Sequence, residues 1–171
     1  MKRYLILAFF LLHGCTSTSK YVGEITCPSV LFSSEHRNYI YGNSSPITFD
    51  NLSYRAEINN YHFDKACKLT DKFLEIKLSI LFIISPENPE KDKIILPYYL
   101  ALLNEEDNLI DMYYFQIEDI MKLDLEQNIY RETEIKDIIK FNIELDKIDI
   151  NSEYKFVIGF MLDKEKLELL S

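Results

Sequence analysis

The stretch FLEIKLSILFII, Phe73 to Ile84, decides the fold class. Leu74, Ile76, Leu78, Ile80 and Phe82 alternate with Glu75, Lys77, Ser79 and Leu81. Successive side chains of a strand point to opposite faces, so a period of two reads as a strand with one face in a core. A helix would bring its apolar residues round every three or four positions instead. SPENP, residues 85–89, ends the run, and two prolines so close together predict an exposed turn.

Further strands follow on both sides. KIILPYYLALL (93–103) is the next apolar run, and because Pro97 has no N–H to give a ladder, that strand is expected at a sheet edge or with a bulge at the proline. NEEDN (104–108) reads as a polar hairpin loop and LIDMYYFQI (109–117) as the returning partner. Upstream, Ser29–Ser33 and Arg37–Tyr41 are short candidate strands, and Leu52, Tyr54, Ala56 and Ile58 alternate with polar neighbours. Downstream, Ile139, Phe141, Ile143 and Leu145 do the same, as do Tyr154, Phe156, Ile158 and Phe160. Residues 117–121 and 135–139 fit helical spacing as well as strand spacing and stay open. Asp163 before Lys164–Leu170 is a good N-cap for a short terminal helix. Strands separated by turn signals, with no helix of crossover length between most of them, predict an all-β antiparallel sandwich with a short C-terminal helix.

The N-terminus carries an address. Lys2 and Arg3 precede nine apolar residues, Tyr4 to Leu12, too few to span a bilayer, which needs about 20. Leu12-His13-Gly14-Cys15 then resembles the lipobox of bacterial lipoproteins. That resemblance implies cleavage after residue 14 and lipid on Cys15, and two or more acyl chains hold a protein durably on a membrane. Thr16 in place of Asp implies outer-membrane sorting by the same family rule. The expected layout is a signal peptide at 1–14, the lipidated Cys and a flexible polar tether at 15–26, and a sandwich domain at 27–171.

Removing residues 1–14 takes two basic residues and no acid, moving the formal charge from −9 to −11. Such a chain is a poor match for nucleic acid or anionic headgroups, whose binding depends on Lys and Arg neutralising phosphates. With Cys15 acylated, Cys27 and Cys67 remain in an oxidising compartment and are expected to pair. Closing a loop of 41 residues contributes about 4 kcal/mol in the chain-entropy model. Forty positions apart, with no CxxC, they carry no zinc or thioredoxin spacing, and no metal or cofactor is expected.

Catalytic motifs are missing: G-x-S-x-G, H-E-x-x-H, Walker A and G-x-G-x-x-G do not occur. His36 beside Glu35, and His62 two before Asp64, place an imidazole near a carboxylate, as a metal site or general base would need. With so many acids in the chain, such neighbours also arise by chance. Glu105, Glu106 and Asp107 cluster in the hairpin loop without calcium-loop spacing. Tyr98-Tyr99 and Tyr113-Tyr114 fall on adjacent strands of one hairpin, so one of each pair should leave the core and form an aromatic interaction face, the alternative being a core on both faces.

Cys27-Pro28 with Val30-Leu31, Cys67, Leu96-Pro97-Tyr98-Tyr99 and Tyr154-x-Phe156-Val157-x-Gly159-Phe160 together resemble a family of uncharacterised alphaproteobacterial lipoproteins. The resemblance spans the mature chain and implies a single immunoglobulin-like or fibronectin-III-like domain of unknown activity. This chain departs from that pattern in being poor in Pro and Gly and rich in Lys and Ile. Tyr154, after the turn at 149–152, resembles a tyrosine corner, or is simply an aromatic core residue. The expected function is a non-enzymatic, lipid-anchored periplasmic binding module that contacts another envelope protein. A small-molecule, glycan or peptidoglycan binder is the alternative, and a hydrolase with dispersed site residues the third reading.

Overall fold

The computed structural model describes residues 23–171. Among them are the strands β1 (Gly23–Ile25), β2 (Ser29–Phe32), β3 (Asn38–Gly42), β4 (Leu52–Phe63), β5 (Cys67–Leu69), β6 (Phe73–Pro86), β7 (Lys93–Asn104), β8 (Leu109–Ile120), β9 (Lys122–Asp124), β10 (Ile129–Arg131), β11 (Thr133–Glu144) and β12 (Tyr154–Phe160), then the helix α1 (Lys164–Leu170). The expected signal peptide, Cys15 and most of the expected tether lie outside the described residues.

The alternating run becomes β6, with Leu74, Ile76, Leu78, Ile80, Phe82 and Ile84 all buried. It is the middle of the first sheet. β11 pairs along its whole length on one side. On the other side lie β4, paired to residues 78–86, and β5, paired to residues 74–75. β3 flanks β4 and β1 flanks β5. The second sheet runs β2-β12-β7-β8. β2 joins β12 in parallel, where the sequence suggested antiparallel neighbours throughout; the other pairs in both sheets are antiparallel. β9 and β10 form a small separate hairpin between β8 and β11.

The two sheets pack face to face. Ile58, Leu78, Ile80, Phe82 and Ile84 of the first meet Leu96, Leu100, Leu102, Phe156, Ile158 and Phe160 of the second. Two buried tyrosines tie the layers with directional bonds. The Tyr54 hydroxyl on β4 donates to the Ile95 carbonyl (2.8 Å) and accepts the Ile95 N–H (2.9 Å) on β7. The Tyr98 hydroxyl on β7 donates to Asp137 Oδ2 on β11 at 2.7 Å. A buried hydroxyl without a partner would be costly, so these bonds make the large rings compatible with the core.

Several expectations meet local physics that the sequence does not display. β4 slips register between Ile58 and Asn60, and this bulge moves the inward set from Leu52, Tyr54, Ala56 and Ile58 to Tyr61 and Phe63. Residues 117–121 and 135–139 are extended rather than helical. Gly23–Ile25, inside the stretch expected as tether, adds to the edge of β5, with Ile25 opposite Cys67. Pro97 is neither at an edge nor at a bulge. β7 lies between β12 and β8, and its irregularity falls at Leu102/Leu103. The proline is tolerated because its backbone faces β12 just past the last paired residues, Tyr98 and Phe160, and its carbonyl accepts Met161 N–H at 2.9 Å. The terminal helix forms as expected, with the Asp163 carboxylate accepting Lys166 N–H at 2.9 Å.

Candidate functional site

Cys27 and Cys67 are joined by a disulfide. Cys27 follows β1 and Cys67 begins β5, so the bond fixes the entry of the N-terminal strand onto the first sheet. Beside it, at the same end of the sandwich, is a cavity of about 380 Å³. Ile25, Leu69, Leu74, Ile148 and Ile150 line it, with Tyr154 at one wall. The Tyr154 hydroxyl accepts the Asp149 N–H at 2.5 Å, which pins the preceding turn.

The four tyrosines of the hairpin divide by face. Tyr98 is fully buried, and its hydroxyl is held protonated, first by burial and then by the Asp137 carboxylate it donates to. Tyr113 also points inward: its ring centroid stands 5.1 Å from that of Phe141, its hydroxyl bonds Asp111, and burial ahead of that carboxylate pushes it up to about 12. Tyr99 and Tyr114 point outward and lie directly opposite each other. Tyr114 is 63% exposed. Tyr99 lies flat across β12, where Gly159 leaves it room, and its ring meets the His36 ring edge-on with centroids 5.8 Å apart. The expected aromatic face is therefore carried by two tyrosines, and the other two belong to the core.

Neighbours not singled out in the sequence complete this outer face. Leu31, Val157, Ala101 and Met112 stand in one row across β2, β12, β7 and β8. Gly159, Tyr99 and Tyr114 form the next row, and Leu31 is half exposed. The only sequence signal for this face is that each residue holds the outward phase of its own strand; adjacency appears only with strand order and register.

The outer face of the first sheet is chemically different. Arg55 pairs with Glu87 at 2.8 Å and Arg37 with Glu57 at 2.9 Å. Around β6 a denser network centres on Asp64, which accepts from Lys77 and from the Ser79 hydroxyl (2.5 Å), with His62 Nε2 3.1 Å from its Oδ1. Lys77 first and Ser79 next hold the Asp64 carboxyl down at about 2. His62 is thus brought to a carboxylate, as its spacing suggested. A nucleophilic serine must give its proton to a base, however, and Ser79 donates to a carboxylate whose depressed pKa makes it a weak one.

His36 has a different task. Its carbonyl accepts Phe160 N–H at 2.7 Å, and its Nδ1 lies 3.0 Å from the Phe160 carbonyl oxygen. Both groups continue the pairing of β12 where β2 has ended, a role with no signature in the sequence. In the hairpin loop, Asp107 pairs with Lys155 and Glu106 accepts from Asn108. Among the described residues no group of three or more His, Cys, Asp or Glu side chains is placed to hold a metal ion.

No family model, no curated protein and no solved structure matches this chain.

Proposed function

We propose that the chain is a lipid-anchored, non-catalytic module of a bacterial cell envelope. It binds another envelope protein through the outer face of the β2-β12-β7-β8 sheet. The observation that carries this reading is the contrast between the two outer faces. The first sheet's outer face carries the ion pairs Arg55–Glu87, Arg37–Glu57 and Lys77–Asp64, whereas the second, with Lys93–Glu118 and Lys155–Asp107 toward its ends, places Leu31, Val157, Met112, Tyr99 and Tyr114 side by side. Scattered apolar surface residues are ordinary, but a contiguous patch with aromatic anchors is what partner surfaces use. The address rests on Lys2-Arg3, the apolar run and Leu12-His13-Gly14-Cys15. Lipid on Cys15 would hold the protein on a membrane, and Thr16 in place of Asp supports sorting to the periplasmic face of the outer membrane.

The strand order supports the immunoglobulin or fibronectin-III-like reading. β4-β6-β11 follows the A-B-E order of one immunoglobulin sheet, and β8-β7-β12 the C′-C-F order of the other. Tyr154 then stands at the start of the F-like strand, with its hydroxyl bonded back to residue 149, the arrangement of a tyrosine corner. The place of a G strand is taken by β2, running parallel to β12.

The test is a photo-crosslinking residue placed in the full chain, in membranes, at position 114 or at position 77 on the opposite outer face. A specific envelope-protein adduct from 114 and none from 77 is expected. Equal adducts from both, or none from either, would overturn the assignment of the face. A second reading, a binder of an apolar small molecule, draws on the cavity beside the disulfide, whose volume falls within the range of about 300–1,000 Å³ usual for ligand sites.

A further inference from the structure

Five strands stand at the edges of the two sheets, and they are not equally closed; β1 is only three residues long. α1 packs against β3. β2 is four residues long. β11 carries exposed Lys136 and Lys140, a common protection against unwanted pairing. β8 is twelve residues long and pairs with β7 alone.

The direction of each backbone group in β8 follows from its neighbour. The N–H and C=O of one strand residue point to the same side, and successive residues alternate sides. Ile95 gives both of its groups to Tyr54, and Pro97 directs its carbonyl to Met161. Both therefore face away from β8, and their opposites, Glu118 and Gln116, face away from β7. The same phase turns Met112, Tyr114 and Ile120 outward. At the two ends the outward N–H groups are already taken: Asp111 Oδ1 accepts from Met112 N (2.9 Å) and Asp119 Oδ1 from Ile120 N (2.8 Å). The N–H groups of Tyr114, Gln116 and Glu118 between them have no hydrogen-bond partner among the described residues. The edge is thus closed at its ends by two aspartates and open for the length of a short strand.

We propose that the middle of β8 receives an extended, basic segment of a partner protein as an added antiparallel strand. This deepens the binding-module reading and rests on it. Strand addition draws affinity from main-chain bonds and specificity from alternate side chains. One side-chain set of the added strand would lie beside Met112 and Tyr114 on the outer face, continuing its apolar rows, and the other beside Tyr113 and Phe115. β8 holds Asp111, Glu118 and Asp119 and no Lys, Arg or His. Asp111 is already paired with Lys147 (2.8 Å) and Glu118 with Lys93 (2.9 Å), so the charge that favours a basic segment is that of Asp119 together with the net −9 of the chain.

The experiment uses the full chain and the peptide acetyl-Lys-Val-Thr-Val-Lys-amide, read by hydrogen exchange of individual amides. Increasing protection at Tyr114, Gln116 and Glu118 is expected, with a Glu-for-Lys peptide about tenfold weaker or worse. Gln116→Pro removes one outward N–H and leaves the β7 ladder intact, so it should abolish protection, whereas Gln116→Ala should retain it. A peptide N-methylated at alternate residues should not bind, and it tests the same bonds should the proline variant fail to fold. Millimolar peptide without protection at these three amides, or equal binding of the N-methylated peptide, would overturn the proposal. Protection that persists while position 114 yields no adduct in membranes would remove the envelope-partner reading and leave the strand-accepting edge.

Discussion

Gly159→Ala tests how the outer face is built. A Cβ added at 159 would stand 2.6 Å from Tyr99 Oη, 2.7 Å from Tyr99 Cζ and 2.8 Å from His36 Cβ. The two obstacles differ in kind. The Tyr99 ring is the far end of a side chain and can swing toward solvent, at the loss of its contact with His36. His36 Cβ cannot retreat easily, because the His36 carbonyl and Nδ1 are bonded to the backbone of Phe160. Overpacking of this sort costs about 1–3 kcal/mol. With a neighbour tethered in this way the middle of that range, about 2 kcal/mol, is expected, or about 8 °C in Tm for a domain of this size. Urea denaturation of wild type, Gly159→Ala, Tyr99→Ala and the double variant measures it. The double variant should be more stable than additivity predicts by about 1 kcal/mol, while the His36 share of the cost remains. A Gly159→Ala change within about 0.5 kcal/mol of wild type would refute the claim that Tyr99 and His36 close over this glycine.

Tyr98→Phe keeps the ring and deletes the donor to Asp137; hydrogen bonds to charged groups contribute about 1.5–3 kcal/mol, so chemical denaturation should show a loss near 2 kcal/mol. The Cys27→Ser/Cys67→Ser double variant should lose up to about 4 kcal/mol in urea, by the loop-entropy estimate, with its N-terminal amides exchanging faster. Asp64 sets an acid limb of stability. Its folded pKa of about 2 lies below the ordinary aspartate value of 3.8, so its contribution is present above the unfolded pKa and is lost as pH falls toward 2. A pH series of denaturation midpoints should fall less steeply below about pH 4 in Asp64→Asn than in wild type, and identical slopes would contradict the network around Lys77 and Ser79.

What the sequence exposes, and what it hides, follows from which interactions are local. β6 is legible because every second residue from Leu74 to Ile84 enters the core without interruption. β4 is legible only to Ile58, since a one-residue slip leaves no mark in composition while reversing which residues face inward. Pro97 was misleading for a related reason. Its missing N–H matters only on the side to which that residue's backbone points, and β12 has ended there. The tyrosine pairs show the same limit, because alternation requires one of each pair to face out without saying which. Core packing and the bond to Asp137 decide in favour of Tyr98 as the inward member. The disulfide could be expected by elimination, since two thiols remained once Cys15 was set aside. β1 could not, because a three-residue strand held by its register with β5 is too short to show a period.

The two sheets treat their solvent faces differently, and the difference is more informative than any single exposed residue. On the first sheet several cations meet acids across a strand or a turn, as with Arg37 and Glu57 or Lys77 and Asp64, and such pairs keep a surface soluble while adding little stability when exposed. On the second, Leu31 and Val157 adjoin because β2 runs parallel along β12, and Tyr99 adjoins Tyr114 because β7 and β8 are opposed there without an intervening bulge. These adjacencies depend on pairings between distant parts of the chain, so no window of sequence contains them. The open stretch of β8 has the same origin. Asp111 and Asp119 would count as two more acids in an acidic protein, but the phase set by Ile95 and Pro97 makes them the groups that end the free edge. The apolar rows and the free backbone groups meet at Tyr114. A partner strand docking there would bury both at once, and this continuity distinguishes the β8 edge from the lysine-bearing edge of β11.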